Sequence, residues 1–139
     1  MLIGIIGLAV FLSSCKTYYI PIDSFKKQFW GMEKMTFKKV TVRGPIGDKV
    51  TYQTFPFNYV NCIDKKGNTV QLKIIPSLEI RFTDIDNKRT TFYLDRIFVN
   101  DTAVTGAQSR LMTINKSIPI SSIKKIEIQD GKKKFSYLN

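Results

Sequence analysis

The chain has 139 residues, is 43% hydrophobic and 24% charged, and carries a formal net charge of +11. This length is typical of one domain, and this composition excludes an intrinsically disordered chain. Histidine is absent and there are two cysteines, which excludes a serine–histidine catalytic site and a zinc site of the usual Cys/His type. We therefore expect no metal and no cofactor.

The positive charge comes mostly from lysine. A field of this size can favour nucleic acid, anionic lipid or acidic polysaccharide. Lysine is a point charge without the bidentate geometry of arginine, so the composition argues against a dedicated phosphate site. A soluble, lysine-rich surface is the simpler interpretation.

Residues 2–12, LIGIIGLAVFL, form an uninterrupted apolar run. The run is too short for a membrane-spanning helix, which needs about 20 residues. It has no polar face and no alternation, which is unusual for a buried helix or strand. Its length matches the apolar region of a signal peptide, although no small-x-small cleavage site of the ordinary secretory kind follows it.

The run ends in Leu12, Ser13, Ser14 and Cys15. An aliphatic residue, two small residues and a cysteine resemble the lipobox of bacterial lipoproteins. The resemblance implies a signal peptide over residues 1–14 that is removed, and a mature chain that begins at Cys15 with acyl chains such as palmitate on this residue. Lys16 follows where the inner-membrane retention signal of the family has Asp, and no acidic cluster follows. The resemblance therefore implies an outer-membrane lipoprotein that faces the periplasm.

Cys62 is left without a partner if Cys15 is acylated. It lies in the strand-like stretch NYVNCID, and a small buried hydrophobic residue is the favoured interpretation. A disulfide between Cys15 and Cys62 is the alternative, and it requires that Cys15 is not acylated.

Residues 15–22 are interpreted as a tether and residues 23–139 as a single β-rich domain. A short helix is predicted at about residues 24–32, with Asp23 or Ser24 as its cap. An apolar stripe on one face of this helix is formed by Phe25, Phe29 and Met32. We expect this stripe to pack on the domain, and the alternative is a helix that lies on the membrane.

From Met35 onward apolar and polar residues alternate, which predicts strands. Turn-rich stretches such as GPIGD, KKGN and DIDNK separate them, and a change of phase near Asp95 predicts a bulge or break. We expect about eight to ten short strands in an antiparallel sandwich or small barrel. Asp130-Gly131 predicts a final hairpin, in which Lys132, Lys133 and Lys134 protect an exposed edge. A contact of these three lysines with an anionic ligand is the weaker interpretation.

Catalytic patterns are weak in this sequence. Asp84, Asp86 and Asp95 imitate the spacing of a calcium loop, but lysine and arginine stand where the loop needs an oxygen ligand and glycine. Serine and lysine are separated by the spacing of a Ser–Lys pair at three places, Ser24 to Lys27, Ser121 to Lys124 and Ser122 to Lys125. No spacing singles out a pair of carboxylates.

We therefore expect a protein that is not an enzyme and that is anchored to the membrane through lipid on Cys15. It would be a binding or assembly module whose partner is an envelope protein, peptidoglycan or anionic lipid. One alternative is an envelope hydrolase that uses carboxylates or a Ser–Lys pair. Another is a basic nucleic-acid-binding β-barrel, which requires that the chain is not exported.

Overall fold

The computed structural model describes residues 16–108 and 115–138. This part of the chain is mainly β and contains twelve strands, one short α-helix and three single-turn 3-10 helices. The strands are β1 (Thr17–Tyr19), β2 (Lys38–Arg43), β3 (Lys49–Thr54), β4 (Tyr59–Ile63), β5 (Thr69–Lys73), β6 (Leu78–Asp84), β7 (Arg89–Tyr93), β8 (Ile97–Val99), β9 (Ala103–Ala107), β10 (Asn115–Pro119), β11 (Ile123–Asp130) and β12 (Ser136–Tyr137). The helix α1 is Ile22–Gln28, and the 3-10 turns are Met32–Lys34, Leu94–Arg96 and Ile120–Ser122.

The main sheet has six strands in the order β5-β4-β1-β11-β6-β7, and all its pairings are antiparallel. Its alternating sequences direct one row of side chains into the core, where Ile80, Phe82, Ile126 and Ile128 are almost completely buried. The opposite row is more polar and includes Arg81, which lies 3.4 Å from Glu127 on the neighbouring strand. The sheet therefore forms by the period-two pattern that the sequence shows.

Two three-stranded sheets, β10-β9-β8 and β12-β2-β3, complete the fold. The first approaches the main sheet so closely that a Cβ atom at Gly106 of β9 would lie 2.6 Å from the ring of Phe92 in β7. Glycine is therefore required at this crossing. The described sheets are sandwich-like and do not close into a barrel. The prediction of a mainly β, antiparallel fold with one short helix is confirmed.

The first strand corrects the tether predicted for residues 15–22. Thr17, Tyr18 and Tyr19 pair with Gln129, Ile128 and Glu127 of β11, and Tyr19 also pairs with Ile63 of β4. Residues 17–19 are thus an interior strand of the main sheet. The sequence pattern does not show this because three residues are too few to display a period.

The helix begins and ends earlier than the predicted range of about 24–32. Pro21 is its N-cap residue, and no side chain caps it, so neither Asp23 nor Ser24 has the predicted role. The expected packing is confirmed, because Phe25, Phe29 and Met32 are each at most 1% exposed. The ring of Phe25 packs edge-on against Phe82 of the main sheet, with 5.5 Å between centroids.

The side chain of Gln28 continues the main sheet where β1 ends. Its carboxamide oxygen accepts a hydrogen bond from the backbone nitrogen of Asn61 in β4 at 2.8 Å, and its nitrogen donates to the Asn61 carbonyl at 2.9 Å. These are the two bonds that a neighbouring strand would make. The Gln28 side chain therefore supplies hydrogen-bond partners to the backbone of β4 at a position beyond the end of β1, where the chain has already entered α1.

The predicted hairpin at Asp130-Gly131 is wrong. The backbone nitrogen of Gly131 donates to the carbonyl of Ser77, and the chain then crosses to another sheet, where β12 pairs with β2. The turns predicted at KKGN and DIDNK do form, and each connects a hairpin, since β4 pairs with β5 and β6 pairs with β7. The expected break near Asp95 is the 3-10 turn Leu94–Arg96.

The 3-10 turn after β7 ties the β12-β2-β3 sheet to the rest of the molecule. Asp95 in this turn is 1% exposed, and its Oδ2 atom accepts hydrogen bonds from the hydroxyls of Tyr52 in β3 and Tyr137 in β12, the latter at 2.6 Å. The guanidinium of Arg96 lies 4.4 Å from the centroid of the Tyr52 ring. A buried carboxylate thus holds two strands of the small sheet at the end of the main sheet.

We expect Asp95→Ala to lower the free energy of unfolding by about 2–4 kcal/mol, because it removes an acceptor shared by two partly buried hydroxyls. Urea denaturation measures this change. The matched control is Asp101→Ala, since Asp101 is exposed in the β8–β9 turn, and its effect should stay within about 0.5 kcal/mol. Equal stability of the two variants would contradict the role given to Asp95.

Candidate functional site

The predicted lipid-attachment residue Cys15 and the lipobox residues Leu12, Ser13 and Ser14 lie outside the described residues. The structure does show where the chain enters the fold. Lys16 directly precedes β1, and the pairing of Thr17 with Gln129 places this entry at the end of the main sheet where β11 finishes. The chain therefore enters the fold at one end of the main sheet, and the other end lies away from this entry.

We call the end at which β1 begins the basic end, because exposed lysines surround it. The register of β1 with β4 brings the β4–β5 turn to the same end, and the segment after β11 starts there. The exposed lysines of these segments are Lys16, Lys65, Lys66, Lys132, Lys133 and Lys134. Hence the three lysines singled out in the sequence belong to a larger group. They lie in the connection after β11 and not on a strand.

Lys133 differs from the other lysines of the basic end. Its ammonium donates a hydrogen bond to the Tyr93 hydroxyl at 3.0 Å and lies 3.6 Å from Glu79. The hydrogen bond with Tyr93, helped by the charge of Glu79, raises the pKa of Lys133 above its usual value. This lysine is therefore committed to contacts within the domain.

Lys65, Lys66, Lys132 and Lys134 make no ion pair with any residue of the described ranges. The acidic residues beside them serve the backbone instead. Asp64 accepts from the backbone nitrogens of Lys66 and Asn68, both at 2.9 Å. The hydrogen bond from Asn68 is the main reason that the pKa of Asp64 is lowered.

A groove opens at the opposite end of the main sheet and has a volume of about 470 Å³. It lies where the end of α1 meets the β8–β9 turn and the 3-10 turn Ile120–Ser122. Its lining includes the apolar side chains of Phe29, Trp30, Val99 and Ile120, and the polar residues Lys26, Glu33, Asn100, Asp101, Thr102 and Ser121. Trp30 is 72% exposed although its neighbour Phe29 is buried. The groove lining therefore includes an indole that is exposed to solvent.

The wall of the groove is held by local hydrogen bonds. The side-chain oxygen of Asn100 accepts from the backbone nitrogens of Thr102 and Ala103 at 2.9 and 2.8 Å. The Thr102 carbonyl accepts from the backbone nitrogen of Ile120 at 2.9 Å. The turn is therefore fixed to the strand β10 and its 3-10 turn, and the groove is formed by the fold itself.

Apolar side chains with a few polar groups around them are typical of a small-molecule or side-chain binding site. Two carboxylates, Glu33 and Asp101, line the groove, and both are exposed. Among the described residues, no group of three or more acidic, cysteine or histidine side chains is placed to hold a metal ion. The lining of the groove therefore offers apolar contacts and hydrogen-bonding groups.

The sequence pattern alone does not predict the groove. The relevant signals in the sequence are Trp30, which stands beside the apolar stripe of the helix, and the turn-forming residues 100–102. Their juxtaposition with residues 120–121 arises only from tertiary packing, because the three segments are distant in the chain. An exposed tryptophan beside a buried stripe is the one sequence feature that could have indicated a binding surface.

The serine–lysine pairs have other hydrogen-bond partners. Lys124 donates to the side chain of Asn87. Ser122 donates to the Pro119 carbonyl at 2.8 Å. The Ser24 hydroxyl accepts from Gln28 at 3.0 Å.

None of the described helices has the length and apolar character needed to cross a membrane.

Cys62 is a buried residue of β4 with a free thiol and an exposure of 2%. Its sulfur lies 3.6 Å from the Val70 carbonyl oxygen. Burial, with a smaller effect of the Asp64 charge, raises the pKa of the Cys62 thiol to about 11. The interpretation of Cys62 as a small buried hydrophobic residue is confirmed.

We expect the Cys15→Ala protein, whose only remaining thiol is Cys62, to react very slowly with iodoacetamide at pH 8. A thiol with this pKa is about one-thousandth thiolate at that pH, and burial blocks access as well. Denaturant should accelerate the reaction strongly, because the unfolded thiol has a pKa near 8.5. Mass spectrometry of the alkylated protein measures both rates. Rapid labelling of the native protein would contradict the burial of Cys62.

Comparisons with known proteins give no further guide to this site. No protein-family model, curated protein or solved structure matched the chain.

Proposed function

We propose that the chain is a bacterial lipoprotein and that its β domain is a binding or assembly module rather than an enzyme. Residues 1–14 act as the signal peptide, and Cys15 carries the acyl chains. The observation that carries the proposal is the lipobox from Leu12 to Cys15, which ends with only Lys16 before the first strand. The module acts on the periplasmic face of the outer membrane.

The anchor has a clear physical basis. A single acyl chain binds a membrane marginally, whereas two or three chains hold a protein stably, at about 0.8 kcal/mol for each buried methylene. An anchor on Cys15 would be joined to β1 through Lys16 alone, and β1 lies inside the main sheet. The lipid would therefore hold the whole domain next to the membrane.

The groove beside Trp30 supports a binding role. It lies at the end of the main sheet opposite the entry of the chain, so an anchor on Cys15 leaves it open to the periplasm. Its exposed indole and apolar base suit an envelope component with apolar surface, such as a protein side chain or a peptidoglycan sugar face. We propose that an envelope ligand is held there.

An envelope hydrolase is the second candidate, and one observation favours it. Glu33 and Asp101 line the same groove, and paired carboxylates are the usual catalytic groups for cleaving glycosidic bonds. A basic nucleic-acid-binding module is a third candidate, and it requires a chain that stays in the cytosol.

We expect Cys15→Ala to abolish metabolic labelling with palmitate and to leave the N-terminal segment uncleaved, because the lipid is attached through the Cys15 sulfur in this proposal. Cys62→Ala is the matched control and should be labelled like the wild type, since the Cys62 thiol is buried. Autoradiography and the mass of the purified protein measure the two effects. Palmitate labelling that survives in Cys15→Ala would refute the lipoprotein proposal.

For the groove, we expect the lipidated protein to release no soluble fragments from purified peptidoglycan. Release of reducing sugar ends is the measurement. If fragments appear and Glu33→Gln or Asp101→Asn abolishes them, the domain is a hydrolase. Lys49→Gln, an exposed site in β3 away from the groove lining, serves as the control for handling effects.

A further inference from the structure

We propose that the basic end is the membrane-facing surface of the domain and that Lys16, Lys65, Lys66, Lys132 and Lys134 contact anionic lipid headgroups there. This inference rests on the proposed lipid anchor at Cys15. It adds an orientation to that anchor. One end of the main sheet lies on the bilayer, and the groove points away from it.

The path of the chain places two segments beside Lys16. Antiparallel pairing of Thr17 with Gln129 and of Tyr19 with Ile63 fixes which ends of β11 and β4 lie beside the start of β1. The β4–β5 turn and the segment after β11 are therefore the neighbours of Lys16. An anchor attached one residue earlier would bring these two segments to the membrane first.

The segments at the basic end carry lysines that are exposed to solvent. Five exposed lysines have no ion pair within the described residues, and four of them come from two segments that are distant in sequence, the β4–β5 turn and the connection after β11. Three acidic residues lie among them. Asp64 and Asp130 accept hydrogen bonds from backbone nitrogens of their own turns, and Glu79 faces Lys133. The carboxylates are therefore engaged by the domain while the ammonium groups point to solvent.

The ligand chemistry follows from the lysines. Ammonium groups that are free to move suit a fluid array of phosphate headgroups better than one fixed anion, because they offer point charges and not a rigid fork. Each lysine near an anionic surface strengthens binding about fivefold at moderate ionic strength, and the effect falls off within a Debye length. Lys133 is not counted here, because Tyr93 and Glu79 hold it.

The opposite end offers an internal reference. The strand β11 has eight residues, which span about 25 Å from one end of the sheet to the other. Trp30 stands at the groove end and is the only tryptophan of the chain. Its fluorescence therefore reports on that end alone, while a label at Thr69, exposed at the start of β5 beside the β4–β5 turn, reports on the basic end.

The test uses the mature, lipidated protein in vesicles of phosphatidylcholine with or without phosphatidylglycerol. The introduced thiol of Thr69→Cys is labelled with a fluorophore, which is selective because the Cys62 thiol is buried. Nitroxide-labelled lipids then quench whichever fluorophore lies at the bilayer surface. We expect quenching of the Thr69 label to be several-fold stronger with phosphatidylglycerol and to be lost in high salt, and we expect Trp30 to stay unquenched.

Charge reversal gives the matched comparison. The variant Lys65→Glu/Lys132→Glu/Lys134→Glu should lose the quenching that depends on phosphatidylglycerol. The variant Lys26→Glu/Lys27→Glu/Lys34→Glu has the same net charge and changes exposed lysines near the groove end, and it should keep that quenching. Circular dichroism of both variants checks that the fold is unchanged.

Three outcomes would overturn the inference and leave the anchor proposal standing. Equal effects of the two triple variants would show attraction by net charge without a defined surface. Quenching of Trp30 would show that the groove end faces the bilayer. Quenching of the Thr69 label that is the same in low and high salt and in the wild type and both variants would show that the anchor alone sets the orientation. Retention of the protein on vesicles in high salt tests the anchor separately. Dissociation from the vesicles in high salt would overturn the anchor proposal together with this inference.

Discussion

The pairing of β1 with β11 and β4 is the interaction on which the rest of the structure depends. Without this strand the main sheet would separate into a β5-β4 hairpin and the unit β11-β6-β7. The strand has only three residues, and one of them, Tyr19, pairs with Ile63 of β4. Gln28 supplies the next two hydrogen bonds to β4 from the helix. The same short strand thus joins the sheet, starts the helix that forms the groove wall, and fixes the place at which the N-terminal segment leaves.

Polar side chains complete the fold where strand pairing ends. Gln28 acts in place of a strand, Asp64 and Asp84 organise the turns after β4 and β6, and Asp95 joins the small sheet to the main one. Each of these side chains accepts a hydrogen bond from a backbone nitrogen or a tyrosine hydroxyl that would otherwise lack a partner. Buried polar groups without partners are costly. These three aspartates are therefore occupied by contacts within the domain. Lysine supplies most of the positive charge of the chain.

The sequence predicted the features that arise from local patterns. Alternation identified the strands from β2 to β7, the phase change near Asp95 identified a break, and the stripe of Phe25, Phe29 and Met32 identified the buried face of the helix. It did not predict features that depend on distant partners. β1 is too short to show a period, Asp130-Gly131 has the local form of a hairpin but bonds to Ser77 instead, and the groove needs three separate segments. The lysines after β11 were noted, whereas their grouping with Lys65 and Lys66 requires the register of β4.

The central position of the first strand also has a consequence for how such a chain acquires its structure. Thr17 enters the fold near the beginning of the chain, but its partner Gln129 lies near the end. A chain that crosses a membrane with its N-terminus first would release β1 long before β11 emerges. The main sheet cannot close until almost the whole chain has crossed, and contacts between distant residues form slowly in any case. For the exported chain that we propose, this topology would delay closure of the main sheet until translocation is nearly complete.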